Sequence, residues 1–337
     1  MTDRRERTRS VLVLGATGGI GSAVAHGLSR RGWQVRALNR NAGECAQTER
    51  TFDWRQGDAM NAGDVRAAAE GVDLIVHAVN PPGYRNWGTL VLPMLDSTIA
   101  AAKATGACIL LPGTIYNFGR DAFPVLTEDA PQNPDTDKGR IRKEMERRLK
   151  QASEAGVGVI IVRAGDFFGP GAANNWFSQG LVKPGKPLTA ISYPGRAGIA
   201  HQWAYLPDVA ETMIRLVERK DQLPRFAVYH MRGFLDRNGT AMIEAIRRAV
   251  GKPDLQVRAF PWWLITLASP FVPLFRELRE MRYLWREPLR MPNERLLAVL
   301  GEEPQTPIDE AVATTLRGLG CLDSQQAIMP PQAIATR

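Results

Sequence analysis

The sequence predicts an α/β chain: a doubly wound parallel sheet over the first half, followed by a small, mostly helical C-terminal part. Three observations predict it. Apolar runs of strand length alternate with helix-length stretches from residue 10 to about 170. Those runs are rich in Val, Ile and Leu throughout, not at alternate positions only, as strands covered on both faces are. A glycine-spaced turn joins the first run to an amphipathic helix.

Each element follows from its own residues. The candidate strands are "SVLVLGA" (10–16), "WQVRALN" (33–39), "DWRQGD" (53–58), "VDLIVHAV" (72–79), "ACILLPG" (107–113) and "VGVIIVRAG" (157–165). Right-handed crossovers between them put helices on both faces and place ligands beyond the C-terminal strand ends. "DKGRIRKEMERRLKQASEAG" (137–156) reads as a helix with Lys138, Ile141, Arg142, Met145, Leu149 and Ala152 on one side, at about 100° per residue. Two cations thus stand on the face expected to be buried, near a helix start whose dipole mildly disfavours them. Beyond residue 171 the Pro- and Gly-rich stretch 183–208 reads as loops and short strands. It is followed by the helical "VAETMIRLVER" (209–219), the strand-like "FAVYHMRG" (226–233) and helical stretches in 238–251 and 279–301.

Composition narrows the class. Hydrophobic residues at 44% and charged residues at 23% are those of a soluble globular protein. The net charge of +8 is dispersed among acids, so no nucleic-acid partner is expected, whereas an anionic cofactor is favoured by such a potential. Arg-rich residues 1–9 read as a disordered arm and 326–337 as a flexible tail. Cys45, Cys108 and Cys321 are too far apart in sequence for a metal cluster or a disulfide framework, so no metal is expected and a cytoplasmic location fits. No apolar run of the signal-peptide kind follows the N-terminal charges. The most apolar stretch, "PWWLITLASPFVPLF" (261–275), is broken by Pro270 and Pro273 and too short to span a bilayer. It reads as a buried helix or a pocket wall, and no membrane partner is expected.

The chemistry-bearing motif is "GATGGIG" (15–21). Gly15, Gly18 and Gly21, with Thr17, Gly19 and Ile20 between them, stand where a strand turns into a helix. A dinucleotide needs glycine there, because the backbone must turn tightly and approach a pyrophosphate while the helix N-terminus supplies N–H groups. This makes residues 10–170 a Rossmann-like dinucleotide-binding core. An NAD-selective site offers an acid to the ribose 2′-hydroxyl after the second strand; this chain has Asn39 and Arg40. NADP(H) is therefore preferred, with Arg40 as the 2′-phosphate partner and NAD(H) as the alternative. Asp58 is a candidate acceptor for the adenine amino group or a helix cap. Ala78, Val79 and Asn80, after the fourth strand, and Lys138 join the expected cofactor set.

Taken with "GDAMNAGDVRAAAEGVDLIVHAVNP" (57–81), "RAGDFFGPG" (163–171) and "QWAYLPDVAETMIRLVE" (202–218), the glycine motif resembles the short-chain dehydrogenase/reductase superfamily. The likeness is to its extended and atypical branch, the NAD-dependent epimerase/dehydratases, over about residues 10–220. The resemblance implies a nicotinamide near the loops after strands four to six, with Asp166, after strand six, facing the cofactor. It also implies a Y-x-x-x-K pair on the helix after strand five, with a Glu four residues beyond the Lys. In that pair the tyrosine exchanges a proton with the substrate and the lysine lowers its pKa and holds the ribose. Aligned on Glu146, the lysine position is Arg142 and the tyrosine position is Lys138.

Three readings stay open. Lys138 takes over the proton or acts as a clamp, with Arg142 on the ribose or an anionic substrate group; "KGRIRKEME" (138–146) is similar to the lysine helix of isoflavone reductase-like members, NADPH-dependent reductases without the tyrosine. Alternatively Tyr116 supplies a phenol, with Thr114 standing for the usual Ser/Thr. Or the chain is a catalytically silent NADP-binding sensor, as NmrA-like relatives are. His77, Phe168, Asn175, Trp176 and Trp203 are candidate substrate contacts, and the aromatic set, joined by Phe167, Trp262 and Trp263, favours an apolar or aromatic small molecule. Asp208 reads as a helix cap. The resulting expectation is an NADP(H)-dependent oxidoreductase with a substrate-binding part over 171–325 interleaved with the core. A sugar-nucleotide epimerase or dehydratase is the further alternative, and a homodimer is left open.

Overall fold

The computed structural model describes residues 8–81, 87–171 and 175–322. The tail expected over 326–337 lies outside the described residues, as does all of the N-terminal arm except Thr8 and Arg9; the Arg9 guanidinium sits 4.9 Å from the Trp33 ring centroid. In chain order the elements are β1 (Ser10–Leu14), α1 (Gly19–Arg30), β2 (Gln34–Asn39), α2 (Ala42–Thr48), β3 (Asp53–Gln56), α3 (Ala62–Ala68), β4 (Leu74–His77), α4 (Trp87–Thr105), β5 (Cys108–Gly113), α5 (Asp137–Glu154) and β6 (Val159–Arg163). Then come β7 (Asp166–Phe168), β8 (Ala190–Tyr193), β9 (His201–Tyr205), α6 (Leu206–Glu218), β10 (Phe226–His230), β11 (Phe234–Asp236), α7 (Ala241–Val250), β12 (Gln256–Ala259), α8 (Trp262–Ala268), α9 (Pro273–Glu280), α10 (Glu294–Leu300) and α11 (Ile308–Gly318).

The expected doubly wound sheet is present. Its seven strands run β3-β2-β1-β4-β5-β6-β10, all parallel. Alternate residues serve opposite faces: Val11 and Val13 pack with α1, α6 and α10, while Leu12 and Leu14 pack with α3, α4 and α5. Each such fully buried Val or Leu stabilises the layer by about 1.5–3 kcal/mol. The strand order reverses between β1 and β4, which opens a crevice at their C-terminal ends.

Two sequence expectations need correction. The strand "FAVYHMRG", placed with the C-terminal part, supplies β10, the outer strand of the core sheet, hydrogen-bonded to β6. The strand expected over 157–165 is β6 (Val159–Arg163); after Ala164–Gly165 the chain leaves the sheet, and β7 pairs with β9, which also pairs with β11. Asp208 is not a helix cap. It lies in the first turn of α6 and accepts from Thr306 N and Thr306 Oγ1 at 2.8 and 2.7 Å, pinning the segment before α11.

Side chains do cap other helices. Thr136 Oγ1 accepts from Gly139 N at 3.1 Å and starts α5, and Asp236 accepts from the backbone of Thr240, Ala241 and Met242 at 3.1 Å and starts α7. Beyond β7 the C-terminal elements share a core of aromatic side chains, including Phe168, Trp176, Phe177, Tyr193, Trp203 and Trp285.

Candidate active site

The strand ends flanking the β1/β4 reversal open into a cavity of about 1150 Å³. One end is built by the glycine turn. Gly15 has φ +90°, and a Cβ there would lie 2.6 Å from Ala78 O, so only glycine lets β1 turn against the end of β4. A Cβ on Gly21 would lie 2.1 Å from Gly15 O; this glycine lies behind the turn and lets α1 press onto it, without lining the cavity. Gly18 begins α1 with no side-chain cap, and Thr17, Gly18, Gly19 and Ile20 line the cavity, so the first N–H groups of α1 are available to anionic oxygens. This is the cradle that a pyrophosphate requires.

Leu38, Asn39, Arg40, Asp58, Ala78, Val79 and Asn80 continue the same wall. Arg40 is exposed, and among the described residues no carboxylate pairs with it. Asp58 is not the cap of α3; Asn61 is, its Oδ1 accepting from Gly63 N at 2.9 Å. Asp58 instead accepts from Met60 N at 2.9 Å while its side chain faces the cavity.

The middle of the cavity gathers Thr114, Tyr116, Lys138, Arg142, His77 and Asp166. Lys138 is 5% exposed, and it and Arg142, one turn apart, lie over Trp87, with Nζ 5.9 Å and Cζ 5.0 Å from its ring centroid. The two cations on the inner face of α5 therefore line a cavity and meet an aromatic ring, while the outer cations Arg147 and Arg148 pair with Glu144 at 2.6 and 2.8 Å. Tyr116 is set by α5: a Cβ on Gly139 would lie 2.3 Å from Tyr116 O, so that glycine admits the loop after β5.

Thr114 Oγ1 donates to Asn117 Oδ1 at 3.4 Å, Asn117 Nδ2 to Gln132 Oε1 at 3.2 Å, and Gln132 Nε2 to Glu146 Oε2 at 3.0 Å. Glu146 is in turn paired with buried Arg163, whose Nε donates at 2.9 Å. Arg163 Nη1 also donates to His230 Nε2 at 2.9 Å. A polar chain thus runs from the cavity wall into the core.

His77 is buried, with Nδ1 2.8 Å from Thr98 Oγ1, whose hydroxyl donates to Met94 O at 3.1 Å. That arrangement places the proton on Nδ1 and leaves Nε2 an acceptor. Burial, and then the charge of Arg142, push its pKa down to about 3, so the ring is neutral. His201 Nε2 donates to Asp166 at 2.9 Å, and its ring stacks on Trp285 at 3.8 Å, holding Asp166 in the wall.

Asn175 and Trp176 line the far end. Phe168 and Trp203, expected as substrate contacts, do not: they are 1% and 0% exposed and pack edge-to-face in the C-terminal core. An aromatic run in sequence does not distinguish a pocket wall from a core. Asn174, which the sequence offers as a further polar candidate beside Asn175, lies outside the described residues. Sequence reasoning did not single out Trp87, Leu90, Met94, Gln179, Phe260, Leu278 or Met281, all of which line the cavity. The apolar stretch 261–275 contributes Pro261, Leu264, Ile265 and Phe275 to that wall, as one of its two sequence readings had it. Among the described residues no group of His, Cys, Asp or Glu is arranged to hold a metal, and no helix is long and apolar enough to cross a membrane.

The NAD dependent epimerase/dehydratase family model matches residues 11–231. The chain belongs to that family. A curated relative, a 3-diazoavenalumate denitrifying reductase of Streptomyces sp, is 30% identical over 179 residues, which are 48% of this chain and 57% of that protein. The chain thus spans little more than half the length of that relative. The structure of MoeE5 in complex with UDP-glucose and NAD is 19% identical with a TM-score of 0.68, covering 92% of this chain and 98% of its own. The UDP-glucose 4-epimerase of Bifidobacterium longum, in complex with NAD+ and UDP, is 15% identical with a TM-score of 0.67, covering 92% and 97%. At such identities these structures establish the common fold. The glycine cradle of this family member fits a nicotinamide dinucleotide, and Lys138 and Arg142 of α5 line the same cavity.

Proposed function

We propose that this family member is an NADP(H)-dependent reductase of a small apolar or aromatic substrate. The observation that carries the reading is the division of the cavity. One end offers the cradle, Arg40 and Asp58; the other, lined by Trp176, Phe260, Pro261, Leu264, Ile265 and Phe275, offers no cation among its described residues. A sugar nucleotide brings two phosphate charges that such a wall would leave unpaired, and burying them so is costly. The name of the Streptomyces relative supports a reductase, and exposed Arg40 supports the 2′-phosphate.

A reduced nicotinamide bound there supplies a hydride. The protein's own task is to deliver the accompanying proton. Lys138, at the position of the absent tyrosine, donates it from Nζ to the substrate atom on which charge develops and is reprotonated from solvent. Arg142 holds the ribose hydroxyls or an anionic substrate group, and Trp87 fixes the course of both side chains. Leu264, Ile265 and Phe275 of α8 and α9 give the substrate end an apolar wall.

The test is titration with NADPH and NADH followed by a screen of aromatic carbonyls, imines and enones with wild type, Lys138→Ala and Tyr116→Phe. Lys138→Ala is expected to lower kcat about 100-fold with NADPH affinity unchanged. A comparable loss in Tyr116→Phe alone would assign the proton to the phenol. Tight NADPH binding without turnover of any member would identify a sensor.

A further inference from the structure

Large apolar side chains exposed to solvent are few among the described residues, and they are clustered. Of the seven, Trp263, Leu264, Leu267 and Phe271 fall within nine residues, at 73%, 43%, 68% and 86% exposure. Val257, at 42%, lies on the strand leading into them. They form the outer face of α8 and the turn after it, whereas Ile265, on the inner face, is buried. The sequence reading of this stretch as a buried helix therefore holds for one side only. A helix apolar on both sides has a second surface to cover.

The surroundings say what covers it. Residues 276–290 carry five arginines against three glutamates. Arg276, Arg279 and Arg286 are exposed, and the Arg282 guanidinium lies 5.3 Å from the ring centroid of Trp262. Arg286 and Arg196 are near enough to Arg282 that, after burial, their charges lower its pKa. α8 itself is firmly seated: Trp262 Nε1 donates to Pro194 O at 2.8 Å.

We propose that the outer face of α8, with the arginines beside it, docks on an anionic lipid surface. Trp and Phe enter the headgroup boundary while arginines meet the phosphates, the arrangement of an interfacial helix lying in the membrane plane. Leu264 belongs to both the patch and the cavity wall, so docking places the cavity rim at the lipid boundary. An apolar substrate would then enter without crossing water. The surface is independent of which reaction the cavity performs.

The test is co-sedimentation of the full chain with vesicles of phosphatidylcholine alone or with part of it replaced by phosphatidylglycerol. The expected result is partition onto the phosphatidylglycerol vesicles, weakened by salt, and at least tenfold weaker in Trp263→Ser/Leu267→Ser/Phe271→Ser and in Arg276→Glu/Arg279→Glu. NADPH titration of each variant reports that its fold is intact. Absence of partition by wild type, or partition unaltered in both variants, overturns the proposal. So does a concentration-dependent dimer that the triple variant abolishes, which would give the patch to a second copy.

Discussion

In the proposed function, cofactor choice turns on Arg40. Its guanidinium is exposed at the cavity edge, after the strand where an acid would select NAD. A charge-assisted pair with a 2′-phosphate contributes about 1.5–3 kcal/mol. Arg40→Ala is therefore expected to weaken NADPH binding about 10- to 100-fold and leave NADH binding nearly unchanged, as read by fluorescence titration of both. Equal weakening of the two would sink the assignment. Arg40, Lys138 and Arg142 were legible in sequence because each departs from a motif whose spacing is known. Trp87 was not, since a tryptophan at the head of an apolar helix looks like core, and only the fold brings α4 beneath α5. Phe168 and Trp203 show the reverse error: their chemistry suggested a pocket, and packing claimed them.

At the scale of elements, contacts between backbones matter most. Gly21→Ala would drive a Cβ to within 2.1 Å of a backbone carbonyl that has no free rotor to yield. α1 must shift, at a cost of about 1–3 kcal/mol, and the cradle opens with it. Calorimetry should show a lowered Tm together with loss of dinucleotide affinity.

The Glu146–Arg163 pair ties α5 to β6 in the interior, at 7% and 2% side-chain exposure. Glu146→Gln leaves a buried guanidinium without its counter-charge, and urea denaturation is expected to show about 3–5 kcal/mol less stability. Six strands of the sheet were readable because each carries its own apolar run. β10 was seen as a strand but placed with the C-terminal part, because its partner β6 lies some 60 residues earlier and pairing over that distance leaves no local mark. Asp208 was misjudged for a related reason: its partner Thr306 is distant in the chain.

At the scale of the whole molecule, burial of His77 and His230 makes stability depend on pH. His77 and His230 are each pushed from 6.5 down to about 3, both by burial first and then by Arg142 and Arg163 respectively. Between those values the unfolded chain binds protons that the folded one refuses, so stability rises with pH. It is fully present above about 6.5 and falls as the pH drops toward 3, by ~1.4 kcal/mol per pH unit for each histidine. Urea midpoints measured from pH 7 to pH 4.5 should decline accordingly, and His230→Gln should make the decline shallower. An unchanged slope in that variant would remove His230 from the account.

The return of the chain to place β10 beside β6 has a consequence for anyone dividing this protein. Cutting after residue 170 would keep the glycine turn but strip β6 of its outer neighbour and remove α6, which packs on α1. The fragment would present a bare strand edge beside an uncovered apolar face, the template on which chains aggregate. Expressed alone, residues 1–170 are expected in the insoluble fraction, and co-expressed residues 171–337 should rescue them. Residues 1–170 and 171–337 thus share one sheet and one helix layer and are not exchangeable modules.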